Sequence, residues 1–270
     1  MFTEKVNPPQ VPRRRGRPPG HTAEGLQTRQ RLFDAAIGLM TERGYAATTL
    51  RDVAERAGVS AGLLYRYFPG KQSVVLALYD DLSAQYVAAA AGMPKAKWRE
   101  RFVYALRTSL EVLRPHRRAL VALTSVLIGD AEHGVFSSSS ASSRLRVQEV
   151  FDKALIGAND APRPQIAAPL GRLLYLLHLA VLLWWLLDKS PGQRATKGLV
   201  LLIERAMPLA VLALRLPPVV RLLREGDSLF GEALLDDLQA ASRDSSAVSG
   251  SSVRSASSRA QGSTTSSLCS

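Results

Sequence analysis

An all-α fold follows from three features of the sequence. Between residues 22 and 240, Leu, Ala and Val recur at three- and four-residue spacing with few β-branched alternations, the period of a helix face and not of a strand. Pro94, Pro115, the Ser137–Ser140 run, Pro162 with Pro164, Pro191 with Gly192, and Pro217 with Pro218 cut this pattern into helix-length pieces. Thr49 and Ser60 stand where helix N-caps belong, each directly before a short amphipathic stretch.

The first helix covers roughly Thr22 to Arg43, with Leu32, Ala36, Leu39 and Met40 on one face and Gly44 to end it. The second starts at the Thr49 cap, carries Asp52 three residues later as a variant capping box, runs to Ala57 and stops at Gly58. The third starts at the Ser60 cap and ends near Phe68, before Pro69 and Gly70. A fourth runs from about Lys71 towards Ala91, and five or six more follow, with long ones near 165–188 and 194–216. The expected organisation is a basic arm over 1–21, a helix-turn-helix head over 22–72, a helical ligand-binding and dimerisation body over 73–240 and a Ser-rich tail over 241–270. Arm and tail lack the apolar residues to offset the entropy of ordering, so disorder is expected for both.

Net charge is +12 and the pI is about 10.3, which points to a polyanionic partner, either nucleic acid or an anionic membrane surface. Residues 1–72 carry 12 Lys/Arg against 6 Asp/Glu, so half of the excess lies in about a quarter of the chain. The single cysteine, Cys269, permits no intrachain disulfide and fits a reducing compartment. The N-terminus lacks the apolar stretch of a secretory signal. The longest apolar run, Leu173–Leu187, falls short of the roughly 20 residues that span a bilayer and reads as a buried helix. The expected location is therefore cytoplasmic and nucleoid-associated, with no membrane partner.

Only Gly58 and Val59 separate the second helix from the cap of the third, so the two must cross rather than run antiparallel. Val53, Ala54 and Ala57 supply one side of an apolar seam; Val59, Leu63 or Leu64, and Phe68 supply the other. The third helix then presents Ser60, Ala61, Gly62, Tyr65, Arg66 and Tyr67 on a polar face. Small residues there permit close approach to a major groove, and the longer ones reach base edges and phosphates.

The stretch Gly44-Tyr45-Ala46-Ala47-Thr48-Thr49-Leu50-Arg51-Asp52-Val53-Ala54-Glu55-Arg56-Ala57-Gly58-Val59-Ser60-Ala61-Gly62-Leu63-Leu64-Tyr65-Arg66-Tyr67-Phe68-Pro69-Gly70-Lys71 resembles the signature of TetR-family transcriptional regulators. The resemblance covers about residues 22–73. It implies that Thr49 caps its helix and binds phosphate, and that Arg51 reaches a base or phosphate. Ala61, Gly62 and Leu63 occupy the base-proximal start of the recognition helix, after the Ser60 cap, and Tyr65 and Tyr67 bind backbone or base edges. Arg66, at the variable position, reads a base, and Lys71 holds a phosphate at the start of the fourth helix. Pro69-Gly70 replaces the usual polar pair before the lysine, and Gln72-Ser73-Val74-Val75 lacks the usual acidic residue and leucine after it, which alters how the fourth helix begins.

Arg13, Arg14, Arg15 and Arg17 form a second DNA signal. Arg15-Gly16-Arg17-Pro18 resembles an AT-hook, in which Gly lets the backbone lie deep in the minor groove and Arg side chains seek the negative potential of A·T tracts.

In the body, Leu173, Leu177, Ala180, Val181, Trp184 and Asp188 share one stripe of a helix that is apolar almost all round, and such a helix is buried on more than one side. The resemblance implies a homodimer through the last long helices, placing two recognition helices on a near-palindromic double-stranded operator. It also implies an inducer pocket between the middle helices, with Trp98, Phe102, Tyr104, Leu123, Phe151, Tyr175, His178 and Trp184 as candidates for contact with an unknown small molecule. His116, His133 and His178 lack metal-ligand spacing, and no nucleophile elbow, phosphate loop or carboxylate pair is present, so no metal, cofactor or enzymatic activity is expected. The expected function is repression released by a small apolar ligand; the alternative is an architectural binder of AT-rich DNA without an inducer.

Overall fold

The computed structural model describes residues 22–129 and 132–234, and among them every regular element is a helix. Arg13, Arg14, Arg15 and Arg17, with the AT-hook-like segment, lie outside the described residues, as does the Ser-rich tail. The head contains α1 (Ala23–Arg43), α2 (Leu50–Arg56) and α3 (Ala61–Tyr67); α4 (Lys71–Ala90) leads out of it. The body contains α5 (Trp98–Leu113), α6 (Arg117–Gly129), α7 (Ala141–Ile156), α8 (Pro164–Leu187), α9 (Arg194–Ala213) and α10 (Pro217–Leu234).

Local chemistry sets the boundaries in the head. Thr22 Oγ1 accepts the Gly25 N–H at 3.1 Å and opens α1. Gly44, at φ +85°, ends it by donating to the Met40 carbonyl, a backbone conformation that costs any Cβ-bearing residue. Leu32, Ala36, Leu39 and Met40 are all buried, as their spacing requires.

Head and body share one continuous interior. The apolar faces of α1, α2 and α3 meet Val74, Val75, Leu78 and Leu82 of α4, and the same cluster takes in Leu120, Leu123 and Val126 of α6 and Trp185 of α8. A second cluster fills the body, with Phe102, Phe151 and Tyr175 among its largest side chains.

The apolar run Leu173–Leu187 understates α8. Pro164 takes the first turn, where its missing N–H costs nothing, and the helix reaches 24 residues, long and apolar enough to cross a bilayer. Here it is the axis of the body, flanked by α5, α6, α7, α9 and α10. It carries a bidentate ion pair from Arg172 to Asp227 of α10 and a buried His178, features of a protein core helix. Its C-terminal carbonyls are closed from outside: Arg117 donates to the carbonyls of Trp185, Leu186 and Asp188 at 2.9–3.2 Å. Asp188 then accepts from the Ser190 N–H and from the N–H and hydroxyl of Thr196, which set the start of α9. The Thr196 and Ser190 hydrogen bonds hold its carboxyl well below the usual carboxylate range.

Candidate nucleic-acid interface

α2 begins with a reciprocal capping box. Thr49 Oγ1 accepts the Asp52 N–H at 3.2 Å, and Asp52 Oδ2 accepts the Thr49 N–H at 3.0 Å. The hydrogen bonds from Thr49 hold the Asp52 carboxyl below its ordinary value. Thr48, fully buried beside them, donates to the Gly44 carbonyl at 2.9 Å and fixes the turn after α1. Arg56 grips Glu42 through two bonds of 2.6 and 2.7 Å and ties α2 to the end of α1.

Gly58, at φ +66°, makes the tight link from α2 to α3. Ser60 Oγ then accepts the Leu63 N–H at 3.2 Å to cap α3. Leu64 and Phe68 are buried, and Leu63 remains half-exposed, so the seam uses Leu64. With that face fixed inward, Ser60, Gly62, Tyr65 and Arg66 point to solvent, and Tyr65 is 55% exposed. Ala61 and Leu63 flank them, half-exposed, at the start of the helix. Arg51 is exposed on α2, and Thr49 is exposed at its cap. Arg29 lies 5.3 Å over the Phe68 ring and links α1 to the end of α3.

Besides the capping residues Thr49 and Ser60, two further expected contact residues have intramolecular roles. Tyr67 is half-buried and packs against the head core, so its ring supports α3 and is only partly presented to solvent. Lys71 is not a freely projecting cation at the start of α4. Its Nζ donates to the Tyr45 carbonyl at 2.8 Å and lies 4.5 Å from the centre of the Tyr45 ring, so it ties α4 to the turn before α2.

The body holds a cavity of about 580 Å³ between α4, α5, α6 and α8. His178 lines it, with its Nε2 2.8 Å from Ser109 Oγ and its ring stacked 6.0 Å from that of Tyr86. Of the other sequence-derived candidates, Trp98, Phe102, Leu123, Phe151 and Tyr175 are buried core residues behind the walls, Tyr104 is half-buried away from them, and Trp184 faces solvent at 50% exposure. Its neighbour Trp185 lines the cavity instead, with Leu78, Leu82 and Leu120 from α4 and α6. The walls are mostly aliphatic rather than aromatic.

Residues 32–78 match the model of bacterial regulatory proteins of the tetR family, and residues 101–229 match that of the tetracyclin repressor-like C-terminal domain. The HTH-type transcriptional repressor KstR2 of Rhodococcus jostii is 40% identical over 74 residues, 26% of this chain and 36% of that protein. The HTH-type transcriptional regulator AcrR of Shigella flexneri is 28% identical over 107 residues, 37% of this chain and 49% of that protein. The chain thus matches half or less of each relative's length. A tetR-family transcriptional regulator from Streptomyces coelicolor, a solved structure, has the same fold with a TM-score of 0.52 at 21% identity, over 81% of this chain and 98% of that one.

Proposed function

The chain belongs to the TetR family of bacterial regulatory proteins, and from that membership we propose that it is a sequence-specific, DNA-binding transcriptional repressor. It acts as a homodimer on a near-palindromic operator and releases it when a small apolar ligand fills the body cavity. The observation that carries this reading is the outward face of α3, where Ser60, Gly62, Tyr65 and Arg66 project while Leu64 and Phe68 lock the helix from behind. Thr49 and Arg51 extend that face onto the start of α2 for phosphate contacts, and Arg13, Arg14, Arg15 and Arg17 add a minor-groove clamp.

Coupling to a ligand has a physical route. Val75, Leu78, Leu82, Leu120 and Trp185 belong at once to the cavity wall and to the head's apolar core. A ligand that spreads α4 from α6 therefore shifts the packing on which α1 rests, and Lys71 passes the movement of α4 to the turn before α2. For the dimer, Trp184 and Leu187 of α8 and Leu202, Leu209 and Leu212 of α9 are exposed, an apolar surface of the kind that a second copy covers. A cytoplasmic, nucleoid-associated location accords with this role.

Selection of bound sequences from a random duplex pool tests the reading. Enrichment of an inverted repeat, its half-sites about one helical turn or a multiple apart, is the expected result. A pool that never enriches at low salt overturns it. Deleting residues 1–21 separates the architectural alternative: a footprint that survives the deletion belongs to α3, and one that vanishes belongs to the arm.

A further inference from the structure

α7 buries a cation next to the cavity with no ion-pair partner among the described residues. Arg144 is 1% exposed. Its Nη1 donates to the Val135 carbonyl at 2.8 Å and the Ser137 carbonyl at 3.1 Å, and its Nε has no hydrogen-bond partner. No carboxylate among the described residues pairs with it. Asp80, which α4 turns towards α7, goes instead to Arg146 at 2.9 Å and to the Ser143 hydroxyl at 3.0 Å. Two carbonyl dipoles orient a guanidinium but do not neutralise it, and an unneutralised charge in an apolar interior is costly.

This charge stands one layer behind the cavity wall. Val135, whose carbonyl Arg144 holds, lines the cavity with its neighbour Phe136, and Val147 lines it one turn further along the same face of α7. Tyr79 lines it too. Burial raises the Tyr79 hydroxyl to about 12, and the Arg144 charge acts against that rise, as it does on Tyr175. No Asp, Glu, Lys or Arg is among the lining residues, and burial holds His178 neutral by lowering it to about 3. The walls thus accept an apolar body, and behind them Arg144 supplies a positive charge that no carboxylate among the described residues pairs with directly.

We propose that the cavity's ligand is an amphipathic monocarboxylate, its apolar body lying among the leucines of α4, α6 and α8 and its carboxylate held at Tyr79 with Arg144 as counter-ion. This rests on the ligand-released reading above and narrows it from an apolar molecule to an apolar acid. A single positive charge behind the wall balances a monocarboxylate, whereas a dianionic phosphate leaves a second buried charge unopposed. The volume suits a single such molecule, within the roughly 300–1,000 Å³ of small-ligand sites.

The test is calorimetric titration of the full chain, without DNA, with dodecanoate, dodecanol and dodecyltrimethylammonium below their micellar concentrations. Dodecanoate is expected to bind more tightly than dodecanol by about tenfold or more, and the cation not at all. Arg144→Met is expected to bring dodecanoate down to the alcohol's affinity while leaving the alcohol unchanged; Arg144→Lys keeps part of the difference. Equal affinity for acid and alcohol, no binding of the acid, or a preference that survives Arg144→Met overturns the proposal and leaves Arg144 a brace for the turn before α7. Should Arg144→Met not fold, the wild-type ratio and its reduction in Tyr79→Phe decide. Retention of selected operator DNA is read alongside. Lost acid preference in a chain that binds DNA sinks the ligand class alone; retained preference in a chain that ignores DNA sinks the regulator reading alone.

Discussion

His178 Nε2 on α8 and Ser109 Oγ on α5 lie 2.8 Å apart with both side chains sealed from solvent. Burial lowers the imidazole from 6.5 to about 3. Above the ordinary value neither the folded nor the unfolded chain holds the proton, and the stability is whole. As pH falls through about 6.5 towards 3, the unfolded chain takes up a proton that the folded chain refuses, and stability drops by up to about 1.4 kcal/mol per pH unit. His178→Gln keeps a partner for Ser109 and removes that proton. Urea unfolding near pH 7.5 and near pH 5.5 is expected to show the wild type losing about 1 kcal/mol more than the variant between the two. Equal losses would place His178 in contact with water.

The caps of the head are predicted to matter through local chemistry alone. Thr49→Ala removes the acceptor for the Asp52 N–H and is expected to cost about 1 kcal/mol, with Thr49→Ser within a few tenths of the wild type. Gly58→Ala places a Cβ at φ +66° and is expected to cost about 1 kcal/mol although nothing lies within 4 Å of that Cβ. Chemical unfolding of each variant measures both.

These features of the head were legible in the sequence because they depend on neighbours in the chain. A Thr three residues before an Asp, or a Gly between two short amphipathic stretches, declares its role without tertiary help. The choice between Leu63 and Leu64 was not so determined, since both continue the seam at helical spacing; packing in the head core selects Leu64. Trp184 and Trp185 show the same limit more strongly. Adjacent residues on a helix point about 100° apart, but α8 is apolar on every side, so its pattern names no inner face. The structure turns Trp185 to the cavity and Trp184 outward. Arg144 was illegible for another reason: an Arg on a helix reads as a solvated residue, and only the fold of the turn over 132–140, far from local periodicity, covers it.

Exposed leucines on α9 predict assembly. Leu202 and Leu209 are 63% and 69% exposed and stand two turns apart on one side of the helix. Leu202→Asp with Leu209→Asp places charge in an interface between copies but touches no buried contact in the single chain. Sedimentation is expected to show a dimer for the wild type and a monomer for the double variant, with unchanged helicity. The monomer should retain weak binding to a half-site and lose the gain from joining two half-sites. A dimer that persists puts the contact on another face.

The recognition face yields the prediction that most directly separates reading a sequence from holding a backbone. Arg66 and Tyr65 are exposed on α3, and neither makes a hydrogen bond or ion pair within the described chain that would be lost on truncation. Arg66→Ala and Tyr65→Ala are therefore expected to leave thermal unfolding unchanged while weakening binding to a selected operator by about 1–3 kcal/mol, with Arg66→Ala relaxing the choice of base at one position of each half-site. Arg51→Ala, if Arg51 meets phosphate, should weaken binding to all sequences alike and lower the salt slope by about one. Lys71→Met should behave differently from all three, since its Nζ serves the Tyr45 carbonyl: it is expected to lower the melting temperature of the free protein as well as DNA affinity. Filter binding across a salt series, paired with thermal unfolding of each variant, distinguishes these patterns, and an Arg66→Ala protein that binds its operator like the wild type shows that α3 does not enter the groove by this face.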